Sequence, residues 1–202
     1  GRVVSSVVFD NSEGIRGSGS VEYSRVFGNS TLGILLQGSG DVARGNVVTG
    51  NPVGLRFSPF SSSAQITVAN NVVYGNGQRG VDLVGGRDHV VRNNTFYTTE
   101  GTGLELRSGA DGTTLRNNLF AGPGGVFLAV SNDSQPGFSS DHNLFFPTVA
   151  GIVGRWQDVD RATLADWQGA TLGDGASLET DPFLVDPEIG RASCRERVSF
   201  TV

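Results

Sequence analysis

Arg56, Asp82 and Glu105 share a place in a repeating phrase. Each stands two residues after a glycine, in Gly54-Leu55-Arg56-Phe57, Gly80-Val81-Asp82-Leu83 and Gly103-Leu104-Glu105-Leu106. Alternation along an extended strand turns the apolar neighbours to one face and the charged residue to the other. If the phrases stack, the outward residues form one column: Arg16, Leu35, Arg56, Asp82, Glu105 and Phe127, flanked by Arg79, Arg87 and Arg107. Asp88, His89 and Asp111 fall near the following turn. The backbones of Asp82 and Glu105 would then lie about 4.8 Å apart, and two carboxylates that close repel unless a cation intervenes. Three kinds of chemistry suit such a pair. As acid and nucleophile, Asp82 and Glu105 fit glycoside hydrolysis with retention, which needs a separation of about 5 Å. As oxygen ligands they fit Ca²⁺ held against a uronate carboxylate. In a lyase, Ca²⁺ or Arg stabilises the charge that develops when a base removes the proton alpha to that carboxylate. Arg56, Arg79 and Arg107 are the candidates to grip an anionic sugar through paired hydrogen bonds, with His89 as a fourth substrate-binding residue. The competing reading is an ordinary solvated strand face, with Arg56 neutralising Asp82 and His89 bonded into its turn.

The elements that must position this column are read from a second repeat. Asn or Ser opens a short β-like run seven times: Ser6, Ser24, Asn46, Asn71, Asn94, Asn118 and Asn143, as in Asn71-Val72-Val73-Tyr74 and Asn143-Leu144-Phe145-Phe146. The steps between them are 18, 22, 25, 23, 24 and 25 residues. A unit of that length cannot bury its own apolar face, so the copies must stack. With the glycine-led strand and a third run before each anchor (Ile66-Thr67-Val68, His89-Val90-Val91, Thr113-Thr114-Leu115), each coil has three short strands joined by Gly, Asn, Asp and Ser turns. The expected architecture is an all-β, right-handed parallel β-helix of about six to seven coils with a small irregular C-terminal block. The stacked Asn side chains are expected to form an amide ladder. The glycines are expected at tight turns or at positive φ. The shortest step, Ser6 to Ser24, is where irregular pairing is expected.

Composition narrows the function classes. The chain has 202 residues, 37% of them hydrophobic, 30 glycines and a net charge of -5. One domain is expected, and the charge disfavours a nucleic-acid partner. No apolar run approaches the 18 or so residues of a membrane span. All fifteen basic residues are Arg, so a Lys base is impossible. The chain opens inside a repeat and reads as lacking N-terminal coils and a cap, and a monomer is expected.

After Asn143 the texture changes to Trp156, Thr163-Leu164-Ala165-Asp166-Trp167-Gln168, Gly173-Asp174-Gly175-Ala176-Ser177 and Asp181-Pro182-Phe183-Leu184-Val185-Asp186-Pro187. Thr163 is placed to cap a helix of one or two turns. Together with Ser140-Asp141-His142-Asn143, this order resembles the end of bacterial right-handed parallel β-helix repeat proteins of the pectate-lyase-like superfamily. Gly175 and Ala176 depart from that pattern, which often has a His before the Ser. The resemblance implies a carbohydrate-active or carbohydrate-binding protein, with acidic polysaccharide as the partner and an extracellular or periplasmic location. A non-catalytic surface scaffold is the alternative. Residues 189–202, around Arg191-Ala192-Ser193-Cys194-Arg195-Glu196-Arg197, resemble a translated vector or adapter sequence and are set aside. The expected division is 1–147 for the coils, 148–188 for the C-terminal block and 189–202 for a non-native tail.

Overall fold

A computed structural model describes residues 1–184. Three parallel sheets run side by side along one axis, and each coil contributes one strand to each. The first sheet has seven strands: Arg2–Val4, Ser20–Glu22, Asp41–Arg44, Ile66–Ala69, Val90–Arg92, Thr114–Arg116 and Ser139–Asp141. The second contains Val7–Phe9, Arg25–Phe27, Val47–Thr49, Val72–Tyr74, Thr95–Tyr97, Leu119–Gly122, Leu144–Pro147 and Leu178–Glu179. The third contains Glu13–Gly17, Leu32–Leu36, Val53–Phe57, Arg79–Val84, Thr102–Arg107, Val126–Val130 and Ile152–Trp156, closed by the antiparallel strand Val159–Arg161. This is a parallel β-solenoid of six full turns between its first and last first-sheet strands. The short step from Ser6 to Ser24 pairs regularly, with Arg2 opposite Ser20 and Val7 opposite Arg25, against the irregularity expected there.

The corner between the first and second sheets repeats one conformation. Ser5, Tyr23, Gly45, Asn70, Asn93, Asn117 and His142 all have φ between 50 and 67°. Each throws the next residue inward, and those next residues are the anchors. Asn46, Asn71, Asn94 and Asn118 each donate a backbone N–H to the amide oxygen one coil on, at 2.9–3.1 Å. Their Nδ2 groups donate to the same oxygen and to a backbone carbonyl, as from Asn118 to Asn143 Oδ1 and Val91 O. The chain ends this ladder deliberately. Asn143 donates its N–H to Ser177 Oγ at 2.8 Å and its Nδ2 to Asp174 Oδ1, and Trp167 Nε1 donates to Asp174 Oδ2 at 2.8 Å. A second ladder, not anticipated, runs through Asn11, Asn29, Asn51 and Asn76 at the opposite corner of the second sheet.

The core is filled from all three sheets. Phe96, Phe120 and Phe145 stack at 4.8 and 5.2 Å, and Ile34, Leu55, Val81, Leu104 and Leu128 line up from the third sheet. The glycines that lead the third strands need no positive φ. Gly33, Gly54 and Gly80 are required because a Cβ there would lie 2.5 Å from the next coil's carbonyl oxygen. The glycine phrase breaks at the last copy. Glu105 pairs with Ala129, not with Phe127, and Phe127 is fully buried. Phe127 therefore leaves the outward column, because Gly125 sits two residues ahead of the place that Gly103 holds.

The third sheet runs on past residue 147 through Ile152–Trp156, which pairs in parallel with Val126–Val130. The helix Leu164–Thr171 then covers the end of the core. Thr163 and Asp166 form a reciprocal capping box at its start. Trp167 is fully buried and meets Trp156 edge-on at 5.8 Å. The expected tail, 189–202, lies outside the described residues.

Candidate functional site

The register places Arg16, Leu35, Arg56, Asp82, Glu105, Ala129 and Arg155 in one row on the outer face of the third sheet. Arg79 and Arg107 come from the same strands as Asp82 and Glu105, three residues before the one and two after the other. Diagonal neighbours on a sheet face are within reach of long side chains, which lets these five groups meet.

Asp82 is the centre. Its side chain is 0% exposed, and both oxygens are occupied. Arg56, one coil below, donates Nε–H to Oδ2 at 2.7 Å. Arg107, one coil above, donates Nε–H to Oδ1 at 2.8 Å and Nη2–H to Oδ2 at 3.0 Å. The hydrogen bond to Asp82, followed by the charges of Asp82 and Glu105, raises the Arg107 pKa against the opposing effect of burial. Glu105 takes a different partner, Arg79, which donates its Nε–H. Arg155, which sequence reasoning missed, completes the row and feels the charge of Glu105. Its main partner is Asp160 at 2.6 Å, whose hydrogen bond raises its pKa. The signal for Arg155 was hidden because Gly154 opposes Leu128, so the glycine-led phrase is out of step there.

Five of the six residues expected in the site are thus gathered: Asp82, Glu105, Arg56, Arg79 and Arg107. His89 is not. Its ring is fully buried, with Nδ1 accepting the Ile66 N–H at 3.2 Å and Nε2 facing the Gly85 carbonyl at 3.0 Å. That pattern requires the Nε2–H tautomer, and burial lowers the His89 pKa. Phe57 meets the ring edge-on at 5.3 Å. With both nitrogens bonded inside the coil, His89 has nothing to offer a substrate. Arg87 pairs with Asp111 at the turn, at 3.7 Å.

The arrangement bears on each chemistry expected of the pair. An acid or nucleophile must reach the substrate, and Asp82 is enclosed with both oxygens accepting guanidinium N–H groups. Calcium does not fit either, since the same oxygens are taken and three guanidinium charges surround the place a cation would occupy. No group of three or more His, Cys, Asp or Glu gathers among the described residues. What the site does present is guanidinium. Three Arg face two carboxylates, and Arg56 and Arg79 each give only Nε–H to a described partner while retaining about 30% exposure. Each guanidinium carries five N–H donors, so most remain directed to solvent.

Residues 15–145 match the family model described as a right handed beta helix region. No curated protein and no solved structure matches the chain.

Proposed function

The chain belongs to the right-handed β-helix family, and on that premise we propose that it binds acidic polysaccharide through Arg56, Arg79 and Arg107. The observation that carries this reading is the excess of guanidinium over carboxylate on one strand face, three Arg against Asp82 and Glu105. Asp82 and Glu105 act as positioning residues. They fix the Nε edge of each guanidinium and leave its Nη edge for a carboxylate of the glycan, which bidentate recognition favours. Coils about 4.8 Å apart offer donors at an interval close to the length of one sugar unit along a chain. Binding without cleavage follows from the enclosure of Asp82. A partner of this kind lies outside the cytoplasm, which makes the protein an extracellular or periplasmic one. The test is affinity electrophoresis through polygalacturonate and through neutral dextran. Retardation in the first alone, lost on Arg56→Ala with Arg107→Ala and weakened by salt, is the expected result. Equal mobility in both gels would reject the reading. Appearance of unsaturated product or new reducing ends would restore the catalytic one.

A further inference from the structure

The second Asn ladder stops inside the stack of coils. Asn11, Asn29 and Asn51 each donate a backbone N–H to the amide oxygen of the next coil, at 3.0–3.1 Å. Each ladder residue follows a corner residue at positive φ: Asp10, Gly28, Gly50 and Gly75 precede Asn11, Asn29, Asn51 and Asn76. Register sets Tyr97 opposite Tyr74, so Thr98 and Thr99 stand where Gly75 and Asn76 stand one coil earlier. A β-branched residue resists positive φ, and Thr98 does not adopt it. Thr98 is buried in consequence, and Thr99 is exposed. The Asn76 N–H therefore meets no amide oxygen on the next coil, and no other acceptor for it lies among the described residues. The leading glycines register the same change. A Cβ on Gly14, Gly33 or Gly54 would meet an Asn Nδ2 of the next coil at 2.9–3.0 Å, whereas one on Gly80 would meet the Val73 side chain.

A cavity of about 10 Å³ lies at this step, with Tyr74, Asn76, Gly80, Thr98, Thr102 and Gly103 in its walls. That volume is about what a single water needs. The lining is polar. Tyr74 is 7% exposed, and its Oη is enclosed with no hydrogen-bond partner among the described residues. Thr98 and Thr102 bring two further hydroxyls. A buried N–H and a buried hydroxyl left unpaired would each cost the fold their desolvation, so groups of this kind are almost always bonded.

We propose that this cavity binds one water molecule, which continues the second ladder where its Asn residues end. The water accepts the Asn76 N–H and shares hydrogen bonds with the hydroxyls of Tyr74 and Thr98, which gives it the two to four polar partners that hold a water inside a protein. Its position gives it a role. The strands Arg79–Val84 and Thr102–Arg107 leave this corner of the coils, and they carry Arg79, Asp82, Glu105 and Arg107. The water joins the two coils at the start of those strands, as Asn side chains join the coils before them. The site stands whether or not the guanidinium face binds acidic glycan.

The test is water-selective NOE spectroscopy on the isotope-labelled full chain, beside thermal unfolding. The Asn76 amide should show a direct cross-peak to a long-lived water, and the Asn51 amide, which donates to Asn76 Oδ1, should show none. Tyr74→Phe should lower the thermal midpoint by about 2–4 °C through loss of a bond to the water, whereas deleting an unpartnered buried hydroxyl would raise it. Thr98→Gly with Thr99→Asn recreates the Gly-Asn pair four residues ahead of the leading glycine, as Asn76 stands ahead of Gly80. It should supply the amide oxygen in place of the water, so that the Asn76 cross-peak disappears and the midpoint holds or rises. The proposal fails if the Asn76 amide has no water contact, if Tyr74→Phe raises the midpoint, or if the cross-peak persists in the folded double variant. Should the double variant not fold, the first two measurements decide.

Discussion

Replacing Asp82 by Asn separates binding from catalysis more sharply than any deletion. Asn is nearly isosteric and retains one acceptor oxygen, but it removes the charge that Arg56 and Arg107 share. The site, three guanidiniums against two carboxylates, would go from one excess positive charge to two. A further unit charge acting on a glycan carboxylate about 6 Å away is worth about 1 kcal/mol at an effective dielectric constant between 40 and 80. Affinity for polygalacturonate should therefore rise about fivefold in low salt, and the gain should vanish near 1 M salt, where the Debye length falls to about 3 Å. The fold should weaken at the same time. Breaking a fully buried pair costs about 3–5 kcal/mol, but Arg56 and Arg107 remain about one-third exposed and can rehydrate, so about 1–2 kcal/mol is the expected loss. The assay is calorimetric titration with oligogalacturonate at two salt concentrations, beside a denaturation curve. Weaker binding by Asp82→Asn at low salt would refute the reasoning, because it would mean that the orientation Asp82 gives Arg56 and Arg107 outweighs the charge it takes from the face.

Three further outcomes follow. Asn118→Ala orphans the Asn94 backbone N–H and leaves a small void, so it should cost about 2–4 kcal/mol, whereas Arg92→Ala on the exposed face should cost under about 0.5 kcal/mol; equal losses in denaturant would refute the ladder. Gly80→Ala puts a methyl 2.5 Å from the Gly103 carbonyl oxygen and should destabilise by more than about 2 kcal/mol, while Gly169→Ala, in the helix with open space around it, should stabilise by about 0.5–1 kcal/mol; thermal midpoints moving in the same direction would count against the coil spacing. His89 has a folded pKa below its unfolded value, so the unfolded chain takes up the proton first. Stability from its neutrality is complete above about pH 6.5 and declines as pH falls from there toward the folded pKa. His89→Gln should remove that part of the pH dependence, and an unchanged pH profile of the thermal midpoint would disprove it.

The coil count, the Asn ladder and the strand that carries the charged column were legible because each rests on a property of single residues repeated at a fixed step. Ser6, Ser24 and five Asn mark the corner, and the alternation in Val81-Asp82-Leu83 sets which side chain faces out. What escaped was anything fixed by spatial register alone. Phe127 was misplaced because Gly125 imitates the leading glycine two residues early, and only the pairing of Glu105 with Ala129 shows the slip. The second ladder did leave a trace, since Asn11, Asn29, Asn51 and Asn76 each follow their anchor by five residues. His89 was misread because a titratable residue near charged neighbours looks functional until both nitrogens are traced to the backbone.

The same limit explains why Asp82 and Glu105 looked like a catalytic pair. Sequence places two carboxylates on adjacent coils and gives their backbone spacing, but it leaves open which cation answers each. On a stacked sheet a long side chain reaches diagonally as readily as it reaches straight across. Arg107 therefore leans back to Asp82, and Arg79 leans forward to Glu105. Each carboxylate is neutralised by a guanidinium from its neighbour's coil, so adjacent coils are stitched together by the residues that were expected to do chemistry. The stitching holds the three guanidiniums in place, and a rigid guanidinium face recognises a row of carboxylates at less entropic cost than free Arg side chains would. Loss of Glu105 should therefore weaken glycan binding even though it removes a negative charge, because Arg79 alone would lose its orientation. Glu105→Gln, which retains an acceptor for the Arg79 Nε–H, should bind more tightly than Glu105→Ala. The reverse order in the same titration would show that charge, and not orientation, governs the face.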